Sequence, residues 1–412
     1  MDDDTNKGID YRRLALETRQ NYLIEIMAQL PSKEREAIWN KESLFFKIFP
    51  RYVSKAANNN LLIDLYDKSC LFAKGLLLSA ETEMRKLIME SGDESAVAKF
   101  EQLQTTRAWL NKLYEKPIAE RHVNTDSLEN VAERLETELV QMSKTYGDIM
   151  HNLKLTWKDV QTKLGENDVA VEFLSFSVSN SDSTIYIALT VRKSYDAPHM
   201  VKLFDENELK SIKSSYYKSS DLSKIVWGKM ADELEGVENI YFSPSGELYN
   251  IAIESMPHWA DSCMMSDRFN LYRLSSTREL AINRSETKSS GAVVYGGIQY
   301  DADVAEMGTP KSEADVLYAY RGFDADSTNY RGTNWEFLNG TMVEAEKVDS
   351  ILTASKSNVT MLSGNQATET TFKNLSGQKK NLLHIRHTWL LLERINSRAQ
   401  ESDGKVEFPS DR

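Results

Sequence analysis

The sequence has few cysteines and no long apolar run, and both absences exclude classes of protein. Only two cysteines, Cys70 and Cys263, occur among 412 residues, and they lie far apart in unlike surroundings. A disulfide framework and a metal knuckle built on Cys-x-x-Cys are therefore excluded. No stretch of about 18 apolar residues is present to cross a bilayer. The stretch MDDDTNKGIDYRR is acidic where a secretory signal is basic and then apolar, so we expect a soluble, cytoplasmic protein.

Basic residues are fewer than acidic residues. Lysine and arginine number 50 against 62 acidic residues, a net charge of −12, and no long basic block is present. Nucleic-acid binding is therefore disfavoured, because nothing offsets the repulsion between the phosphates and the acidic surface. The hydrophobic content of 41% is ordinary for a globular protein, and the length is sufficient for two or three domains.

Apolar residues recur at helical spacing from residue 11 to about residue 165. The clearest stripe begins after Asp126, the predicted N-cap, and has steps of three and four residues. It consists of Leu128, Val131, Leu135, Leu139, Met142, Tyr146 and Ile149. The last helix of this region is predicted from near Thr156, with Asp159 in capping-box position, to Gly165. The pattern predicts an α-helical array over residues 1–165.

The period of the apolar pattern changes from about 3.6 to 2 at residue 168, which places a domain boundary near residue 165. The segments 169–173 and 185–191 alternate and predict an antiparallel hairpin. Downstream, strands are predicted at NIYF, AVVYGG, NVTML and NLLHI, and helices lie between the last three of them. Alternating strands and helices are typical of a parallel, helix-covered sheet. The predicted fold class is thus α plus α/β.

The glycines and the thiols offer only weak candidates for a site. Gly296 and Gly297 follow an apolar strand, but neither GxGxxG nor GxxxxGK[ST] is present, so a turn is favoured over a phosphate site. Cys70 lies among Leu71, Phe72 and Leu76, which favours a buried, inert thiol. Cys263 lies in the more polar segment ADSCMMSDR, where we expect a loop or packing cysteine.

Two histidines, His384 and His387, follow the last apolar strand. Side chains three residues apart on a strand point to opposite faces, so the two would not converge on one metal ion. A catalytic histidine at the carboxyl end of a parallel strand is consistent with this position, but such a residue requires a nucleophile to activate. No cysteine occurs after Cys263. The alternative is that His384 is packed in the strand and that His387 is exposed.

Six segments together resemble the CHAT domain, a family in the caspase and separase group of cysteine peptidases. They occur in this order: AVEFLSF, YFSPSGELYNIAIESMP, FNLYRLSSTREL, AVVYGG, FLNGTMVEAEKV and NLLHI. The upstream stretches YDKSCLFAKGLLLS and LQTTRAWLNKL resemble the TPR-type helices that precede this domain in bacterial members. The resemblance covers roughly residues 60 to 385. Each motif is weak alone, and their shared order is more specific.

The resemblance implies an N-terminal TPR-like helical array followed by a partial caspase-like α/β domain with a parallel core sheet. The implied divisions are a helical region (1–165), a hairpin-containing subregion (166–288), an α/β core (289–385) and an aberrant tail (386–412).

In the family, a catalytic His in a pattern like HxxTHG pairs with a Cys one strand later. Here His384 matches the first His of that pattern, whereas His387 stands one place early and no Gly follows. His387 is therefore the only candidate for the catalytic histidine, and the thiol is missing. We expect that a single-nucleotide insertion or deletion just after Ile385 shifted the reading frame and ended the chain early.

Two functions stay open at this point. The first is a protein of a peptidase family, acting on protein substrates, whose own catalytic pair is incomplete. The second is a scaffold that binds a protein partner through the helical array. A weaker third alternative is an α/β enzyme of unknown class that uses the strand ends near Gly296 and His387. We expect no cofactor, no metal site and no nucleic-acid partner.

Overall fold

The chain folds into two compact units, Met1–Asn283 and Arg284–Arg412. The computed structural model describes residues 3–55, 58–114, 117–118, 121, 123–144, 150–178, 183–282, 291–299, 339–375, 378, 380 and 382–386. No helix within these ranges is both long enough and apolar enough to cross a membrane.

The first unit begins with helices and continues into a five-stranded sheet. The helices before the sheet are α1 (Asp3–Met27), α2 (Ser32–Val53), α3 (Asn59–Asp64), α4 (Leu76–Glu90), α5 (Glu94–Tyr114), α6 (Thr125–Ser143) and α7 (Trp157–Lys163). The strands and the short helices among them are β1 (Asp168–Ser177), β2 (Thr184–Val191), β3 (His199–Asp205), α8 (Glu206–Ser211), α9 (Asp221–Val226), β4 (Asn239–Ser243), α10 (Met265–Arg268) and β5 (Asn270–Arg273). A π-helical segment, Leu65–Phe72, links α3 to the turn before α4.

The predicted helix ends are partly confirmed. The capping box at α7 is present, with the backbone N–H and the hydroxyl of Thr156 both 2.7 Å from Asp159 Oδ2. For α6 the predicted N-cap, Asp126, is wrong. Asn124 caps this helix, because its Oδ1 accepts hydrogen bonds from the backbone N–H groups of Asp126 and Ser127. The last two members of the predicted stripe, Tyr146 and Ile149, lie outside the described residues.

The first sheet has the strand order β3-β2-β1-β4-β5. The β1–β2 and β2–β3 pairs are antiparallel, which confirms the predicted hairpin, and the β1–β4 and β4–β5 pairs are parallel. Alternate residues of β1 face opposite sides of the sheet. Ala170 and Leu174 pack with the N-terminal helices, whereas Val171 and Phe173 pack with the segment around α9. The helical region and the sheet therefore share one apolar core.

The second unit contains the predicted parallel sheet. Its described elements are β6 (Ala292–Ile298), α11 (Asn339–Ala354), β7 (Val359–Gly364), α12 (Glu369–Lys373) and β8 (Leu382–Ile385). The strand order is β7-β6-β8, and both pairs are parallel. The helical array, the mixed first sheet and this parallel sheet confirm the predicted α plus α/β class. The domain boundaries inferred from the sequence stay predictions.

Glu172 is the polar residue on the helix-facing side of β1, and it is completely buried. Lys74, in the turn before α4, donates to Glu172 Oε2 at 2.6 Å. Glu172 Oε1 accepts hydrogen bonds from the hydroxyl of Ser276 at 3.1 Å and from the backbone and hydroxyl of Thr277 at 2.6 and 2.8 Å. Burial lowers the pKa of Lys74, but the neighbouring groups, Glu172 foremost, together outweigh this effect and the net pKa is raised. Lys74 is therefore charged, and its contact with Glu172 joins the helices to the sheet.

A second buried cation holds the π-helical segment against the same loop. Arg278 donates to the carbonyl of Leu71, the last turn of that segment, and to the hydroxyl of Ser79 in α4. Tyr66 is buried within the segment, and its hydroxyl lies 2.7 Å from Thr277 Oγ1. The unusual helix thus receives hydrogen bonds from the loop that follows β5.

Removal of the Lys74 charge tests how strongly this network stabilises the first unit. We expect Lys74→Met to lower the free energy of unfolding by about 3–5 kcal/mol, because it leaves the Glu172 carboxylate buried without its counter-ion. Urea unfolding of the full chain, followed by circular dichroism, measures the loss. Lys193→Met is the matched control: its ion pair with Glu166 is exposed, and we expect a change below about 0.5 kcal/mol. Equal effects of the two substitutions would contradict the assignment.

Candidate functional site

The carboxyl ends of the second unit's parallel strands lie at one edge of the sheet, where catalytic groups are expected in α/β folds. His384, in β8, pairs in register with Val294 of β6. Its Nε2 atom lies 3.5 Å from Oε1 of Glu344, a residue of α11. Arg386 Nε lies 3.0 Å from the other oxygen of the same carboxylate. At this edge the described histidine therefore faces a carboxylate that also binds an arginine.

Gly296 and Gly297 allow α11 to approach β6 closely. A Cβ atom on Gly296 would lie 2.4 Å from Ala345 Cβ and 2.6 Å from the Thr341 carbonyl oxygen. Gly297 has a φ of +59° and donates its N–H to the hydroxyl of Thr341 at 3.1 Å. Helix packing accounts for both glycines, and they lie within β6 and not in the turn that the sequence favours.

The sequence-predicted catalytic residue, His387, lies outside the described residues, so its role stays a prediction. The segment 386–412, the predicted aberrant tail, is described only at Arg386. By sequence, the unit Arg284–Arg412 contains no cysteine, because Cys70 and Cys263 both belong to the first unit.

Cys70 is an inert packing residue, as predicted. It lies in the π-helical segment and is completely buried. Burial raises the pKa of its thiol well above the ordinary value, and the nearby Glu172 carboxylate raises it further. Only the thiolate is an effective nucleophile, so this environment suppresses reactivity.

Cys263 lies beside three polar side chains. His258 and Asp261 belong to the loop between β4 and α10, and Arg268 is the last residue of α10. His258, Asp261 and Cys263 bring one nitrogen, one oxygen and one sulfur atom within 4.8 Å of one another. Arg268 donates to Asp261 Oδ2 at 2.7 Å and also contacts Cys263. The interactions with Cys263 and Asp261 raise the pKa of Arg268.

His258 is buried and its Nδ1 atom accepts hydrogen bonds from the backbone N–H groups of Ala260 and Asp261, both at 3.2 Å. Burial lowers the pKa of His258, an effect that Asp261 partly opposes. The imidazole is therefore neutral near pH 7, with an unprotonated nitrogen directed at the loop.

This cluster was not predicted from the sequence. We expected a loop or packing cysteine at Cys263 without an activating base nearby, yet His258 precedes Cys263 by only five positions. The signal that could have identified it is the spacing His-x-x-Asp-x-Cys, which a tight loop converts into one cluster. Because the segment has no regular period, nothing in the sequence predicted that the loop folds back on itself.

The two thiols should differ sharply in reactivity. With iodoacetamide in metal-free buffer, we expect rapid alkylation of Cys263 and no alkylation of Cys70 until the chain is unfolded, because only Cys263 is partly exposed. Peptide mass spectrometry of native and urea-treated samples measures each site. Alkylation of Cys70 at a comparable rate in the native chain would show that its packing is not as described.

Comparison with known proteins found a family match for the C-terminal part of the chain. Residues 218–398 match the family model of the CHAT domain. This range begins before α9 and extends beyond Ile385, the residue after which the sequence analysis expects family character to end. No curated protein matches the chain. The resemblance inferred from the ordered motifs is thus confirmed over residues 218–398, which are similar to the CHAT domain, a caspase-like, peptidase-related family.

Proposed function

We propose that this 412-residue chain is a CHAT-domain protein that binds a protein partner and does not itself hydrolyse peptide bonds. The observation that carries this proposal is the pairing of His384. Its Nε2 atom faces the Glu344 carboxylate at 3.5 Å, and the unit in which it lies contains no cysteine. A cysteine peptidase requires a thiol that its histidine can activate, and the two act as a unit.

Neither cysteine in the sequence is a good substitute for the missing nucleophile. Cys70 is buried, and its pKa is raised by burial. Cys263 has a histidine nearby, but the accepting nitrogen of His258 is engaged by two backbone N–H groups. Cys263 also contacts Arg268, a permanent cation that cannot act as a base towards the thiol.

A peptidase assay tests the first half of the proposal. The full chain is incubated with a peptide mixture of broad sequence, and cleavage products are counted by mass spectrometry. We expect no hydrolysis above the buffer rate, with no difference between the wild type, Cys263→Ser and His384→Gln. A known cysteine peptidase in parallel verifies the assay. Cleavage that disappears in Cys263→Ser or His384→Gln would refute the proposal.

An apolar groove between α1 and α2 supports the binding half of the proposal. Its cavity has a volume of about 380 Å³. The residues that line it are largely apolar: Gly8, Tyr11, Arg12, Ala15, Leu16, Phe45, Ile48, Phe49 and Tyr52. Tyr11 is 73% exposed, and Leu14, on the same helix, is 60% exposed. Large apolar side chains that stay in contact with water are typical of a surface that a partner covers.

Two arginines lie against an aromatic ring that lines this groove. The Arg12 guanidinium lies over the Tyr52 ring at 4.1 Å, and that of Arg51 lies 5.9 Å from the same ring. The exposed Lys47 and Lys55 also belong to or follow α2. A partner that complements both properties is an acidic amphipathic helix, with its apolar face in the groove and its carboxylates towards the arginines.

A pair of designed peptides tests the groove. One labelled helical peptide has leucines on one face and glutamates elsewhere, and its matched version has lysines in place of the glutamates. Fluorescence anisotropy should show binding of the acidic peptide to the full chain and binding of the lysine version at least about tenfold weaker, a difference of ~1.4 kcal/mol.

The double variant Tyr11→Ala and Arg12→Glu should abolish the preference for the acidic peptide. Trp109→Ala is the control, because Trp109 is also half exposed but lies on α5. Equal affinity for both peptides, or equal loss in Trp109→Ala, would exclude the groove as the site.

A further inference from the structure

The loop that carries Cys263 folds back on itself and gathers three different donor atoms. An isolated β-bridge joins Pro257 to Met264, and the His258 N–H donates to the Cys263 carbonyl at 2.8 Å. These bonds close a short loop around Asp261. The donor atoms of His258, Asp261 and Cys263 consequently lie within 4.8 Å of one another.

The base of this loop is held by aromatic packing. The His258 ring stacks on Trp259, with centroids 3.9 Å apart, and lies 6.2 Å from the Phe269 ring. Trp259 in turn lies against Gly228, where an added Cβ would be 3.2 Å from the indole. The imidazole is thus fixed, whereas Asp261 is exposed and Cys263 is partly exposed. The side chains of Asp261 and Cys263 can therefore move towards the fixed imidazole at a small cost in free energy.

We propose that His258, Asp261 and Cys263 bind a divalent transition-metal ion, best matched by Zn²⁺. Nitrogen, carboxylate oxygen and thiolate are the three ligand types that Zn²⁺ accepts in proteins. With bonds of about 2.0–2.3 Å, tetrahedral ligands lie roughly 3.5 Å apart, so the present arrangement needs a contraction of about an ångström. Three protein ligands leave the fourth position open to water or to another donor.

The protonation of His258 is already correct for a ligand. Its Nδ1 atom lies 3.6 Å from Asp261 Oδ2, and it accepts hydrogen bonds from two backbone N–H groups. An atom that accepts hydrogen bonds carries no proton, as a metal ligand requires. Both hydrogen bonds are 3.2 Å long and are therefore weak enough for a metal ion to replace.

Arg268 occupies the place of a cation in the metal-free site. Its guanidinium donates to Asp261 Oδ2 at 2.7 Å and contacts Cys263. The side chain is 55% exposed, so it can move into solvent when a metal ion arrives. A thiolate and a carboxylate together carry two negative charges, which one Zn²⁺ ion neutralises and one arginine does not.

Titration of the full chain with Zn²⁺ against a chromophoric chelator tests the proposal. We expect one equivalent to bind, and we expect Cys263→Ser and Asp261→Asn each to weaken binding by at least about 10-fold. A loss of that size already follows when a residue that only orients a metal ligand is replaced, so the loss of a ligand itself should be no smaller. Arg268→Gln should strengthen binding, because it removes the competing cation. His199→Gln is the matched control: His199 also pairs with a carboxylate, Glu233, but has no thiol in its cluster.

Co²⁺ gives a readout that does not depend on how the variants fold. In the wild type, a thiolate-to-cobalt charge-transfer band and strong visible bands should appear at one equivalent. The absence of the thiolate band would overturn the proposal, and so would its persistence in Cys263→Ser. Binding that is lost equally in His199→Gln would also overturn it.

Discussion

The buried carboxylate of Glu172 is the interaction on which the arrangement of the first unit depends. A charge on the core face of a central strand is costly unless it is paired and fully hydrogen-bonded. Lys74 supplies the counter-charge from the helical region, and Ser276 and Thr277 supply hydrogen bonds from the loop after β5. All three partners are needed at once, so the helices, the central strand and that loop are fixed relative to one another. The helical region consequently shares its core with one face of the first sheet.

The chemistry of the two units differs because their polar groups are held in different ways. In the second unit, the glycines of β6 bring α11 so close that Glu344 reaches His384 and Arg386. That carboxylate lies 3.0 Å from Arg386 Nε and 3.5 Å from His384 Nε2, so the imidazole has an anion beside it, and its own unit contains no thiol. In the first unit, the loop around Asp261 is partly exposed, and the thiol of Cys263 is accessible. The accessible thiol, Cys263, and the histidine near the strand end, His384, therefore belong to separate units.

The sequence predicted those features that a period or a local motif encodes. The hairpin of β1 and β2, the capping box at Thr156 and the parallel strands of the second unit all follow from spacing alone. The features it did not predict depend on contacts between distant segments. The π-helical segment has the same apolar pattern as an α-helix. Its last turn accepts a hydrogen bond from Arg278, which is 207 positions from Leu71 in the sequence. The His258 cluster lies in a segment without any period, where only the folded loop shows which side chains meet.

The interpretation of Cys263 decides between hydrolysis and metal binding, because one sulfur atom cannot serve both. A nucleophile needs a free lone pair and a base that can take its proton, whereas the accepting nitrogen of His258 is held by backbone N–H groups. Coordination needs the lone pair of that nitrogen too, but a divalent ion can replace two hydrogen bonds of 3.2 Å because it binds the Asp261 carboxylate and the Cys263 sulfur at the same time. The geometry therefore meets the conditions for a ligand more closely than the conditions for a catalytic pair, and a metal ion at this loop would suppress the reactivity of the more accessible of the two thiols.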